Sequence, residues 1–125
     1  MPVPAANHRP ALRLAARFYR LSRIRGPLAA GADGVISVVA NAFPERFSQM
    51  VHASMASDLT LAKAAHYDLF NVTKMFFEEG NPGGVKVALA ARGLMQETMR
   101  LPLYPVSEGL RTRIQAETTR LLASL

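Results

Sequence analysis

A lysine that attacks a carbonyl must be neutral often enough to act, which needs a desolvated pocket or a neighbouring cation. The chain offers Lys63, Lys74 and Lys86. Each falls in a stretch whose apolar spacing predicts an amphipathic helix, where a lysine ammonium stands in water. None is therefore expected to be a nucleophile. The string Gly80-Asn81-Pro82-Gly83-Gly84, with Lys86 two residues on, invites comparison with a phosphate-binding loop. Such a loop needs Gly-Lys followed directly by Ser or Thr, opening a helix after a strand. Here Val85 intervenes, Val87 follows and a helical stretch precedes, so a helix-to-helix turn is expected. His8, His52 and His66 lie in separate segments and lack the i, i+4 spacing of a metal pair. Glu78 and Glu79 are adjacent, so on a helix they diverge. No metal site and no cofactor are expected. Ser37, Ser48, Ser54, Ser57, Ser107 and Ser124 lack a nucleophile-elbow context. Met50, Met55, Met75, Met95 and Met99 read as core filling rather than as an adaptable groove. The residues alone give no catalytic set.

The elements that would position any site are better defined. With 125 residues, half of them hydrophobic, the chain can bury one small core. It has no cysteine, which removes disulfides and thiolate metal sites and fits a reducing compartment. No apolar run approaches the roughly 18 residues of a spanning helix, so no membrane segment is expected. The net charge of +6 suggests an anionic partner, but its location weakens that reading. Six of the 15 basic residues (Arg9, Arg13, Arg17, Arg20, Arg23 and Arg25) lie in residues 1–30, and none of the 9 acidic ones does. The remainder is neutral. Residues 1–30 fit a mitochondrial-type presequence, a basic arm for nucleic acid or anionic lipid, a solvated helix, or sequence from a shifted reading frame.

From Gly31 the pattern sharpens. Gly34-Val35-Ile36-Ser37-Val38-Val39 predicts a strand, and its continuous apolar character predicts burial on both faces, as in a parallel sheet. One strand cannot form a sheet, because its N–H and C=O groups need partners. Helical spacing then takes over. Pro44 suits a first helical position, with Phe47, Met50, Val51 and Met55 following. Ser57 or Asp58 can cap a second helix reaching about Glu79, with Ala62, Ala65, Leu69, Val72 and Phe76 on one face. Residues 80–84 end it. A shorter helix spans about Val85 to Arg92, stopped by Gly93. Two prolines keep Leu101 to Pro105 extended. Ser107 can cap the last helix, with Leu110, Ile114, Leu121 and Leu125 on one stripe.

Three strings carry a resemblance. Gly31-Ala32-Asp33-Gly34-Val35-Ile36-Ser37-Val38-Val39-Ala40-Asn41 resembles the last barrel strand of the dihydrodipicolinate synthase family. Phe76-Phe77-Glu78-Glu79-Gly80-Asn81-Pro82-Gly83-Gly84-Val85-Lys86 is similar to its Asn-Pro turn, although many members have Asn-Pro-Ile-Pro there. Arg100-Leu101-Pro102-Leu103-Tyr104-Pro105 matches its Arg-Leu-Pro-Leu-x-Pro segment, which favours the synthase over related pyruvate aldolases such as N-acetylneuraminate lyase. The strings occur in the family's order and near its spacing, over residues 31–125.

The resemblance implies a (β/α)8 barrel with a C-terminal helical domain, of which this chain would be a truncated part. The expected fold is mostly α: the last barrel strand and helix at residues 31–57, then the helical domain at 58–125. Residues 1–30 do not resemble the family. The abrupt change near Gly31 is expected to reflect a gene remnant or shifted frame, with a basic targeting arm as the alternative. The family condenses pyruvate with aspartate semialdehyde through a lysine Schiff base, in lysine biosynthesis. Its lysine, its proton-relaying tyrosine, its threonine pair and its aldehyde-site arginine all lie upstream of the matched strings. No catalytic residue therefore carries over. Ile36 does, as the residue whose backbone carbonyl would lie beside the pyruvate pocket, where barrels place their sites. The chain alone is expected to be inactive and cytoplasmic. A pyruvate-type substrate is expected only for a complete barrel. A homo-oligomer, or pairing with a full-length synthase, is the expected assembly, without membrane or nucleic acid. Two other classes remain open: a non-catalytic helical interaction module, and a nucleic-acid or membrane-surface binder acting through residues 1–30.

Overall fold

Pro44 begins the first long helix because its fixed φ suits the first turn and its missing N–H costs nothing there. In the computed structural model, which describes residues 35–124, that helix is one of five. They are α1 (Val39–Ala42), α2 (Pro44–Met55), α3 (Leu59–Glu78), α4 (Gly83–Ala91) and α5 (Glu108–Ala123). The basic segment at residues 1–30, with any helix in it, lies outside the described residues, as do Gly34 and Leu125.

The expected strand does not form. Val35 to Ser37 adopt no regular structure, Val38 bends, and Val39–Ala42 is a helical turn. A strand exists only through ladder hydrogen bonds, and no second strand is present among the described residues to supply them. Helix offers the backbone of Val39 to Ala42 local partners instead: Phe43 N–H donates to Val39 O at 2.9 Å. Val39 and Ala42 are buried, and Phe43 with them.

The helical expectations hold closely. In α2, Phe47, Met50 and Ala53 point inward. Ser57, at a left-handed φ of 61°, turns the chain back. Asp58 then caps α3, its carboxylate accepting from Leu61 N–H at 3.0 Å. Ala62, Ala65, Leu69, Val72 and Phe76 form the buried face of α3. Fully burying side chains such as Leu69 and Phe76 contributes ~1.5–3 kcal/mol each.

The turn after α3 is shorter than expected. Gly80, with φ of 95°, ends α3, but Gly83 and Gly84 already belong to α4. Their lack of side chains allows a close crossing. A Cβ on Gly84 would stand 2.7 Å from the Cα of Phe76, and one on Gly83 2.7 Å from Cγ1 of Val106. Helix α4 ends before Gly93 at φ of 72°. Residues 93–107 then run without helix or strand. Ser107 caps α5, accepting from Leu110 N–H at 3.3 Å. Leu110, Ile114, Thr118 and Leu121 make the buried stripe of α5.

Helix α3 is the centre of the bundle and packs on each of the other four. Ion pairs tie the outside together. Asp68 on α3 lies 3.2 Å from Nη2 of Arg46 on α2 and 3.8 Å from Nη1 of Arg120 on α5. Arg92 at the end of α4 pairs with Glu45 at 3.1 Å, donates to the carbonyl of Ala42 and lies over the Phe43 ring. Ion pairs that solvent still reaches on the carboxylate side contribute ~0–1 kcal/mol each; their larger effect is to fix which helix ends meet.

Candidate functional site

Val35, Ile36, Ser37 and Val38 form the segment that leads into α1, and only Ile36 among them is exposed. Val35 and Val38 are partly buried against the helical core. Ile36, between them, is 75% exposed. The segment is fixed from its C-terminal side. Asn41 Nδ2 donates to the carbonyls of Ser37 and Val38, at 3.3 and 3.1 Å. The Ser37 hydroxyl accepts from Ala40 N–H at 3.4 Å. The segment is thus joined to the helical body with its most hydrophobic side chain, Ile36, in water, a placement that a large aliphatic group disfavours.

None of the three lysines is placed as a Schiff-base nucleophile would be. Lys63 and Lys74 are exposed, with the Lys74 ammonium 5.9 Å from the centre of the Phe70 ring. Lys86 is half-buried and donates to the carbonyl of Thr98. A nucleophilic amine needs desolvation and a free lone pair; two of these stand in water and the third is used as a donor.

The acidic residues are occupied, each in a different direction. Glu78 takes Arg113 at 2.6 Å, and that bond holds its carboxyl below the ordinary glutamate range. Glu79, one residue on, turns to the start of α5, where it accepts from the hydroxyl of Ser107 at 2.5 Å and from its N–H at 2.7 Å. The hydroxyl first, and then the amide, lowers its pKa. Arg92 does the same for Glu45. Glu97 receives Nε of Arg111 at 2.8 Å. Among the described residues no three His, Cys, Asp or Glu side chains converge as a metal site would require. His52 is exposed. His66 meets Tyr67 edge-on, with ring centres 5.5 Å apart, and leans on Phe70. His8 lies outside the described residues.

The glycine-rich string that resembled a phosphate loop serves packing: Gly83 and Gly84 admit Val106 and Phe76 where an anion would have to sit. The methionines divide. Met50 is fully buried and Met75 packs against the core, whereas Met55 and Met95 are exposed. Sequence reasoning missed the Glu79–Ser107 clamp and the Arg92 anchor. Both join residues tens of positions apart, and no local spacing signals them. No helix among the described residues is long and apolar enough to cross a membrane.

The model of the dihydrodipicolinate synthetase family matches residues 24–121. The 4-hydroxy-tetrahydrodipicolinate synthase of Flavobacterium psychrophilum is 44% identical over 92 residues, covering 74% of this chain and 31% of its own length. That of Chloroherpeton thalassium is 43% identical over 94 residues, covering 75% and 31%. The crystal structure of dihydrodipicolinate synthase from Thermotoga maritima superposes with a TM-score of 0.77 at 32% identity, over 82% of this chain and 35% of that one. The chain therefore spans about a third of the length of the relatives it matches.

Proposed function

Because this chain belongs to the dihydrodipicolinate synthetase family, we propose that it carries the last βα unit and the C-terminal helical domain of a lysine-dependent, class I aldolase-type lyase. In this reading residues 31–57 supply the final barrel strand and helix, residues 58–125 the helical domain, and residues 1–30 a basic segment, of which residues 24–30 already fall within the family match. The reaction of the whole protein is the condensation of pyruvate with aspartate semialdehyde in lysine biosynthesis, in the cytoplasm. The backbone carbonyl of Ile36 lines the pyruvate pocket there. The 125-residue chain by itself does not form the Schiff base.

One observation carries that last statement: the chain has three lysines, and Lys63, Lys74 and Lys86 are all solvated or engaged as donors. The imine needs a neutral amine held beside the ketone, and neither condition is met at these positions. The test is borohydride trapping of the purified chain with pyruvate, read by intact mass beside a full-length synthase. An unchanged mass for the chain and an increased one for the synthase is expected. A stable pyruvate adduct on any of the three lysines would overturn the reading.

A second reading rests on the apolar side chains left in water, Ile36 and Leu101 above all: a non-catalytic module that works by associating with another polypeptide.

A further inference from the structure

Residues 93–107 link α4 to α5 without helix or strand, and Arg100 lies in the middle of them. Two separate criteria single it out among the described lysines and arginines. The first is the state of the side chain. Arg46, Arg92, Arg111, Arg113 and Arg120 each hold a carboxylate, and Lys86 donates to the Thr98 carbonyl. Arg100 is exposed, and its guanidinium has no hydrogen bond or ion pair with a described residue. The second is the backbone. The three lysines and the arginines of α2 and α5 sit inside helices, and Arg92 closes α4, its N–H donating to Ala88 O at 3.1 Å. Around Arg100 the backbone is little engaged. With the described residues, positions 95–102 make two backbone hydrogen bonds: the Thr98 carbonyl accepts from Lys86, and the Arg100 carbonyl from Leu103 N–H at 3.1 Å. Just downstream, Leu101 is 77% and Tyr104 74% exposed, and Leu103 is exposed as well.

We propose that the Arg100–Leu101 peptide bond is a cleavage site for a trypsin-like serine endopeptidase, and that the product is a two-chain form with α5 still seated. Such an enzyme takes a guanidinium into a pocket that carries a carboxylate, and it needs the chain on both sides of the bond extended in its cleft. Paired arginines must first give up their own carboxylates, and helical residues must unwind. Arg100 needs neither; the bonds at Thr98 and at its own carbonyl are all that must open. Exposed chain between elements is where such nicking concentrates. Leu101 and Leu103 offer apolar side chains to the enzyme on the far side of the bond. The step is a hydrolysis. The C–N bond between Arg100 and Leu101 breaks, the water oxygen joins the Arg100 carbonyl carbon, and a proton goes to the Leu101 nitrogen. A carboxylate and an ammonium result. What holds α5 in place does not run through that bond. Leu110, Ile114 and Leu121 are buried in the core. Arg113 pairs with Glu78, Arg111 with Glu97, and the Ser107 hydroxyl donates to Glu79. The inference stands on this loop alone and does not depend on the family reading.

The experiment is a time course of trypsin, at a low ratio, on the folded 125-residue chain, read by intact mass and by size exclusion. A product of residues 101–125 is expected to appear first and to persist. Cuts at the arginines of residues 1–30 shorten the N-terminal product and leave this one unchanged. Persistence reports the seating of α5, because the peptide contains Arg111, Arg113 and Arg120, which trypsin would cut once the helix left the core. The two products elute together in native buffer and separate in urea. Arg100→Gln slows cleavage within residues 35–124 by roughly tenfold or more, since every other site there waits for a helix to open. It leaves the Tm unchanged, because the side chain has no partner to lose. Arg100→Lys distinguishes the side chain from the loop: trypsin still cuts after residue 100, whereas an endopeptidase that accepts arginine alone does not. The proposal is overturned by a first cut at Arg92 or inside a helix, or by Arg100→Gln that is cut within residues 35–124 as fast as the wild type. A peptide 101–125 that elutes alone, or that is degraded as fast as it forms, also overturns it.

Discussion

Replacing Gly84 with alanine tests the contact that sets the angle between α3 and α4. An added Cβ would stand 2.7 Å from Phe76 Cα, 3.2 Å from Met75 O and 3.3 Å from Ile114 Cδ1. Carbon atoms pack at about 3.5–4.0 Å, so α4 must retreat from α3 by roughly 1 Å. The nearest atoms are backbone in the last turn of the central helix and cannot rotate away. Retreat loosens Val87 and Ala88 against the core, and a gap of that size forfeits about a quarter to a half of the contact attraction. Overpacking of this kind costs ~1–3 kcal/mol. Alanine returns up to ~1 kcal/mol through helix propensity. The net expectation is destabilisation by roughly 1–2 kcal/mol, a fall in Tm of roughly 4–16 °C for a domain of this size. Two neighbours act as internal controls. Gly109→Ala meets nothing within 4 Å and should gain up to ~1 kcal/mol. Gly83→Ala meets the side chain of Val106, which sits in a loop and can shift, so it should fall between. Urea midpoints at constant m-value give the order. A Gly84→Ala variant as stable as Gly109→Ala would show that the two helices do not touch backbone to backbone, and the packing argument would fail.

Other perturbations separate the remaining contacts. Asp58→Ala removes the α3 cap and should cost ~1 kcal/mol. Ser107→Ala should cost more, because it loses both the α5 cap and the hydroxyl bond to Glu79, whose carboxylate keeps only the bond from the backbone N–H of residue 107; equal losses in urea melts would count against the clamp. Acid should weaken the domain through the same carboxylates. The pKa values of Glu45, Glu78 and Glu79 are depressed by folding, so their stabilisation is present above the unfolded glutamate pKa of ~4.3 and is lost as pH falls through the lower folded values. Urea midpoints should drop across that acid range, and Glu79→Gln should flatten the drop; an unchanged slope would remove Glu79 from the account. Thr118 is buried with a hydroxyl that has no hydrogen-bond partner among the described residues. Thr118→Val should therefore stabilise by ~1 kcal/mol, and a lower Tm would show that the hydroxyl is in use.

Much of this architecture is legible in the order of residues. Pro44, Asp58 and Ser107 mark helix starts because capping chemistry is local, and the stripes of α3 and α5 follow from a period of 3.6. The family could be read as well, since Arg100 to Pro105 and the string from Gly31 are specific in type and order. What failed was the strand at residues 34–39. The sequence states a preference for extended backbone, but strand formation needs a partner, and the helical turn at Val39–Ala42 takes part of the stretch instead. The glycines at 83 and 84 were misplaced for a related reason. As a string they look like a turn, and only the approach of Phe76 and Val106 shows that they are a crossing point. The surroundings of Lys86, Glu79 and Arg92 depend on residues far along the chain and could not be read locally.

The central place of α3 has a consequence for how the domain opens. A bundle in which every helix rests on one shared helix has no half that can detach while the other stays whole. Releasing α2, α4 or α5 uncovers part of the Ala62, Leu69 and Phe76 face at once, so partly open forms are costly. Amide hydrogens along α3 should then exchange with solvent at the rate of global opening, while those between residues 95 and 102, outside any helix, exchange faster. Since α2 and α3 are neighbours in sequence and pack extensively, as α4 and α5 do, the assembly path is short in chain distance and should be fast.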